Sequence, residues 1–223
     1  METYRSGHNG ADSKSVCGQP HEGSNPSVSA IKSHFCFKQK WLFHKKGVNM
    51  KNKSDKLQTP RLVLKSFEEC DRQPMVEILF DKEIKKTYML PDFTERKQAE
   101  PLFERLMASS KSDERFLYGI FFKGAPVGFV NDCEIKDDAI EIGYVITPAH
   151  QGKGFATEAV EACIKELFRM GFAHIRAGFF EGNTASCRVM EKCGMHRIEL
   201  EEDIEYKGVL HHCFYYEIHK TDV

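Results

Sequence analysis

The chain has 223 residues, 41% hydrophobic and 29% charged, with a formal net charge of -1, which suits one globular domain with room for a tail. That balance argues against a nucleic-acid footprint. No apolar run is long enough to span a bilayer, and the first residues lack the apolar core of an export signal, so a cytoplasmic protein is the expectation.

Residues 1–49 are polar, unperiodic and rich in Ser, Gly, Asn and Lys. That composition predicts a disordered extension. The genetic code offers a second reading. Gly23-Ser24-Asn25-Pro26 is what GGT-TCG-AAT-CC encodes, a string resembling the T-arm of tRNA genes. Lys46-Gly47-Val48-Asn49 can be encoded by a purine-rich run resembling a bacterial ribosome-binding site. On that reading residues 1–49 are a translated tRNA gene, Met50 is the true start, and the domain is residues 50–223. Either reading leaves the tail without function.

Leu62, Leu64 and Phe67 predict a first strand after Thr59-Pro60-Arg61. Residues 68–81 have a helical face of Met75, Ile78 and Leu79. Residues 83–93 read as a connector. Thr94 is placed to cap a helix through about Ser109, with Pro101 predicting a kink or break. Arg115 to Phe122 and Ala125 to Ile135 read as a hairpin around Lys123-Gly124. Ala139 to Thr147 is the next strand, and Gly143 inside it suggests a bulge or a close backbone approach. A helix over 155–170 stops at Gly171, and His174 to Phe180 is a strand. Asn183 caps a helix through Cys193, ended by Gly194. Met195 to Glu202 and Leu210 to Ile218 close the chain as strands around Lys207-Gly208. The order predicts an α/β (α+β) fold with a mixed sheet and helices on both faces.

The segment with chemistry is Pro148-Ala149-His150-Gln151-Gly152-Lys153-Gly154-Phe155-Ala156-Thr157. A strand precedes it and an amphipathic helix follows. Unpaired N–H groups of a first helical turn, with the helix dipole behind them, attract anions. The two glycines let a ligand approach the backbone closely. The segment reads as a phosphate cradle. It lacks the spacing of a nucleotide-binding P-loop.

Cys17, Cys36, Cys70, Cys133, Cys163, Cys187, Cys193 and Cys213 contain no C-x-x-C pair and read as reduced thiols. His211-His212 invites a metal reading, but neighbours on a strand point to opposite faces. No metal is expected.

Gln151-Gly152-Lys153-Gly154-Phe155-Ala156 resembles the Gln/Arg-x-x-Gly-x-Gly/Ala motif of the GNAT acetyltransferases. Asn183-Thr184-Ala185-Ser186 followed by Glu191-Lys192-Cys193-Gly194-Met195 resembles the Asn-x-x-Ser…Glu-Lys-x-Gly-Phe signature of the RimJ/RimL-like branch, which acts on ribosomal-protein N-termini. Thr59-Pro60-Arg61-Leu62-Val63-Leu64 resembles that branch's first strand. The resemblance runs from about residue 57 to 219. It implies a GNAT fold with a mixed, mostly antiparallel central sheet, and acetyl-CoA as donor. Backbone of Gly152, Gly154, Phe155 and Ala156 would hold the pyrophosphate. Gln151, Lys153, Thr157, Asn183 and Ser186 would add contacts. The pantetheine arm would lie along Val145, Ile146 and Thr147, where the strand parts from its neighbour.

Direct acetyl transfer to an amine needs a base for the ammonium, a donor for the oxyanion and an acid for the thiolate. The resemblance makes Ser186 the first candidate acid. It offers two candidate bases, Glu205 in the turn region after Met195 and Glu141 on the strand entering the loop. The tract around Glu199, Glu201, Glu202 and Asp203 would attract a cationic acceptor or simply be a wet face. Tyr88, Phe93 and Phe103 are candidates for the acceptor wall or for core. The expected acceptor is a peptide N-terminal amine, with a polyamine, amino sugar or amino acid as the alternative, in a monomer or homodimer. The reading from another class is a non-catalytic acyl-CoA-binding module.

Overall fold

A computed structural model describes residues 50–222, and the readings for residues 1–49 lie outside them. The strands are β1 (Lys56–Gln58), β2 (Leu62–Lys65), β3 (Leu117–Phe122), β4 (Ala125–Lys136), β5 (Ala139–Ile146), β6 (His174–Phe180), β7 (His196–Tyr206) and β8 (Val209–His219). The α-helices are α1 (Arg72–Phe80), α2 (Ile84–Thr87), α3 (Glu100–Ser110), α4 (Phe155–Met170) and α5 (Thr184–Lys192). The strands form one sheet in the order β1-β2-β3-β4-β5-β6-β8-β7. Among the described strands, β5–β6 is the one parallel pair. No described helix is long and apolar enough to cross a membrane.

Period-two alternation sends the two faces of each strand to different cores. On β3, Tyr118 and Ile120 join Phe155, Val160, Ile164 and Leu167 of α4 on one face. Leu117 and Phe121 join Met75 and Leu79 of α1 and Phe103 and Leu106 of α3 on the other. Helices therefore cover both faces. Met50 is buried in the α4-side core, and its backbone N–H donates to the Asp113 carbonyl at 2.6 Å.

Local signals set most boundaries. Gly171 has φ 106 and ends α4. The Asn183 side chain accepts from the Ser186 N–H and starts α5. Gly194, with φ 79, follows it. Three expectations need correction. Thr94 is not the cap of the helix after it. Glu95 is, in a capping box with Gln98 at the start of a short 3-10 segment (Arg96–Ala99). Pro101 does not kink a helix, because α3 begins there and proline suits a first turn. Gly143 carries no bulge. The β4–β5 register shifts between Asp132 and Glu134, so Cys133 is the extra residue. Gly143 lies under side chains instead of backbone: a Cβ there would sit 2.9 Å from the Cys133 sulfur and 3.2 Å from the Tyr88 ring.

Candidate active site

β5 and β6 pair in register only at Ala139–His174, Ile140–Ile175 and Glu141–Arg176. Beyond that point β5 stays with β4 through Ile146, and β6 stays with β8 through Phe180. The sheet thus opens into a wedge. β5 delivers the chain into the loop at the wedge mouth, and α4 starts behind it.

The loop geometry suits a diphosphate. Gly152 and Gly154 have φ 71 and φ 79, conformations that glycine enters at least cost. A Cβ on Gly152 would meet nothing within 4 Å, and one on Gly154 would meet only the Arg61 guanidinium at 3.3 Å. Gly154 is the N-cap of α4 and offers no side-chain cap. The first-turn N–H groups have no partner within the helix and face the loop with the positive end of the dipole.

Two expected contact residues act on the loop itself. Gln151 donates to the Ile146 carbonyl at 2.9 Å. Lys153 donates to the Ala149 carbonyl at 2.8 Å. Thr147 is also internal: its N–H donates to the Val127 carbonyl and its hydroxyl meets His150 Nδ1 at 2.9 Å. Neither Lys153 nor Thr147 lines the groove described next. The sequence also gave no role to Arg61, which braces the loop from β2's entry. Its guanidinium pairs with Glu158 at 2.6 Å, donates to the Lys153 carbonyl at 2.8 Å and covers the Phe155 ring. Glu158 lies in the first turn of α4, where a carboxylate is favoured.

A groove of about 530 Å³ runs from this loop into the wedge. Val145, Ile146, Gln151, Gly152, Gly154, Phe155, Ala156 and Thr157 line one side, and Asn183 and Ser186 the other. Arg188 and Lys192, one turn apart on α5, add positive charge along it. A second cavity of about 80 Å³ lies deeper, against β6 and β8. Its walls are mainly apolar and aromatic, including Met89, Phe180, Ile204 and Tyr215, with Glu141 on the β5 side. Groove and cavity meet at Thr87, Tyr88, Tyr144, Asn183 and Ser186.

That junction is tightly ordered. Asn183 Nδ2 donates to Ser186 Oγ at 3.0 Å, which turns the serine's own proton elsewhere. Tyr144 donates its hydroxyl to the Ser186 carbonyl at 3.1 Å. Tyr88 donates to Asn131 Oδ1 at 2.6 Å. Burial pushes both phenols well above their usual pKa, so both stay protonated donors at neutral pH.

The sequence profile described as "Acetyltransferase (GNAT) domain" matches residues 61–196. The chain belongs to the GNAT acetyltransferase family. It is 36% identical over 122 residues to a Bacillus subtilis protein named "Probable N-acetyltransferase YjcK", a match covering 52% of this chain and 65% of YjcK. Among solved structures, a GNAT-family acetyltransferase from Bacillus anthracis superposes with TM-score 0.65 at 27% identity, covering 74% of this chain and 99% of that one. RimL, a ribosomal L7/L12 alpha-N-protein acetyltransferase solved with coenzyme A, superposes with TM-score 0.63 at 17% identity, covering 72% of this chain and 95% of that one. This last is a likeness of fold. Family and fold together support an acyl-CoA-dependent acetyltransferase.

The candidate catalytic residues fall into two groups. Ser186 and Glu141 both line the inner cavity. Glu205 lines neither space. It is exposed on β7 between the buried Ile204 and Tyr206, so strand alternation turns it to the other face. Of the three aromatics, Tyr88 reaches the junction. Phe103 is fully buried in the α1–α3 core, and Phe93 packs against that core.

Proposed function

We propose that this protein is a cytoplasmic N-acetyltransferase that moves an acetyl group from acetyl-CoA directly to a primary amine, in the manner of the RimJ/RimL-like branch. The observation that carries this reading is the meeting of groove and inner cavity at Ser186. A donor held along the groove and an amine held in the cavity would face each other there.

Acetyl-CoA supplies a thioester whose carbonyl carbon accepts the amine. The Gly152–Ala156 backbone and the α4 N-terminus would hold its diphosphate, and Arg188 and Lys192 are placed for further phosphate charge. The splayed edge of β5 would carry the pantetheine arm.

Glu141 takes the role of base, directly or through a water, and removes the ammonium proton so the nitrogen lone pair can attack. The C–N bond forms and the C–S bond breaks. Ser186 gives its hydroxyl proton to the leaving sulfur and is reprotonated by the N–H proton the nitrogen sheds as the amide forms, and the first turn of α5 favours the developing thiolate. Asn183 positions Ser186 by donating to its oxygen.

The acceptor we favour is the α-amine of a peptide whose first side chain enters the apolar inner cavity. The small size of that cavity also fits a free amino acid or comparable amine. A screen of peptides and small amines with acetyl-CoA, read by thiol release, decides between them. Saturable transfer to peptides supports the reading. CoA binding with no turnover on any amine would leave a binding module.

A further inference from the structure

The closed end of the wedge holds a second cluster that acetyl transfer does not use. On β8, Glu217 and His219 are two residues apart and share a face. His174 on β6 is the register partner of His219, and Arg176 is the partner of Glu217. The intervening Ile175 and Ile218 point the other way and are buried. Two imidazoles and a carboxylate are thereby gathered on the face away from α4.

Their ligand atoms converge. His219 Nε2 lies 2.8 Å from Glu217 Oε1, and His174 Nδ1 lies 3.5 Å from the same oxygen. One ligand atom from each of the three residues lies within 4.8 Å of the other two. Ligands at the usual zinc bond lengths around a tetrahedron stand roughly 3.3 Å apart, so small side-chain shifts would admit an ion. Arg176 holds the other carboxylate oxygen, Oε2, through Nη2 at 2.6 Å and Nε at 3.1 Å. That contact fixes the carboxylate with Oε1 toward the imidazoles, as outer-shell partners of metal ligands do.

We propose that His174, Glu217 and His219 form a binding site for a borderline divalent cation, zinc in the first instance. Two nitrogen ligands and one oxygen favour zinc or cobalt over calcium or magnesium. Both histidines are partly exposed, so water can complete the coordination. The site does not depend on the acetyltransferase reading.

The test is metal binding by the full chain after EDTA treatment and dialysis. Zinc chloride is titrated by calorimetry and cobalt chloride by visible absorption, in the wild type and in the His174→Asn/His219→Asn double variant. Other groups also take metal, so the difference between proteins is the readout. Wild type should bind one more equivalent of zinc, show a tetrahedral cobalt band, and melt higher with zinc than with EDTA. The double variant should lose all three while melting like wild type in EDTA. His212→Asn, at the far end of the hairpin, should keep them. Equal stoichiometry and equal zinc-dependent melting in wild type and double variant would overturn the site, as would an absence of zinc binding by the wild type.

Discussion

The Tyr144 hydroxyl donates to the Ser186 backbone carbonyl at 3.1 Å, across 42 residues of sequence. The bond ties the splayed end of β5 to the first turn of α5, so the two walls of the wedge are held at a fixed distance. Tyr144→Phe keeps the ring and removes the tie. We expect a loss of about 1 kcal/mol in stability, the typical net worth of one such bond. We also expect kcat to fall more than KM rises, because Ser186 loses its placement. Thermal melting and steady-state kinetics check both.

Ser186→Ala and Glu141→Gln remove the proposed acid and base. Each should lower kcat by about 100-fold or more, the usual contribution of a positioned proton-transfer group. Glu205→Gln should leave kcat within about two-fold, since that side chain faces away from both cavities. A loss at Glu205 matching the loss at Glu141 would return the base assignment to β7.

The difference between the two glutamates shows what the sequence could and could not tell. Glu205 stands between Ile204 and Tyr206, and strand periodicity alone turns it away from an apolar inner face. That alternation leaves Glu141 as the candidate carboxylate on the cavity wall. Helix ends at Gly171 and Asn183 were legible because their signals are local. β1 has only Leu57 as an apolar residue, and α2 is four residues long, so neither offers a period to read. Tyr88 was a candidate for the acceptor wall, but nothing local separated it from Phe93 and Phe103, which are core. The place of Tyr88 is set by Asn131 and Gly143, contacts no local pattern encodes. The His174–Glu217–His219 cluster had a faint signal, since Glu-x-His on a strand shares one face, but His174 joins it only through sheet register.

Gly128 tests how the wedge is built. A Cβ there would lie 1.9 Å from the Val145 carbonyl oxygen, so Gly128→Ala must push β4 from β5 beside the groove. Overpacking of this kind costs about 1–3 kcal/mol, and here the obstacle is backbone. Denaturant melts should show at least that loss, with weakened acetyl-CoA binding.

Gly154→Ala probes the loop itself. The residue has φ 79, and an alanine in that region costs about 1–2 kcal/mol. Its Cβ would also crowd the Arg61 guanidinium, 3.3 Å away. KM for acetyl-CoA should rise while kcat at saturation changes little. Arg61→Ala should move KM in the same direction, because Arg61 holds the Lys153 carbonyl from below. An unchanged KM in both variants would remove the loop from donor binding.

The hairpin edge should respond to pH through His212. Its Nδ1 meets Asp203 at 2.7 Å, and its Nε2 meets Glu201 at 3.2 Å. The Asp203 hydrogen bond is the main cause that lifts its pKa above 6.5; desolvation opposes the rise, and the Glu201 hydrogen bond adds to it. A histidine whose folded pKa exceeds its unfolded one stabilises the fold while protonated. That contribution is complete below the unfolded value near 6.5 and disappears as pH rises through the folded value. β7 is an edge strand of the sheet, so the loss should appear first as faster amide exchange over β7 and β8. An NMR titration should place the His212 midpoint above 6.5, and Asp203→Asn should lower it. If the midpoint stays where it was in Asp203→Asn, the pairing does not set the titration.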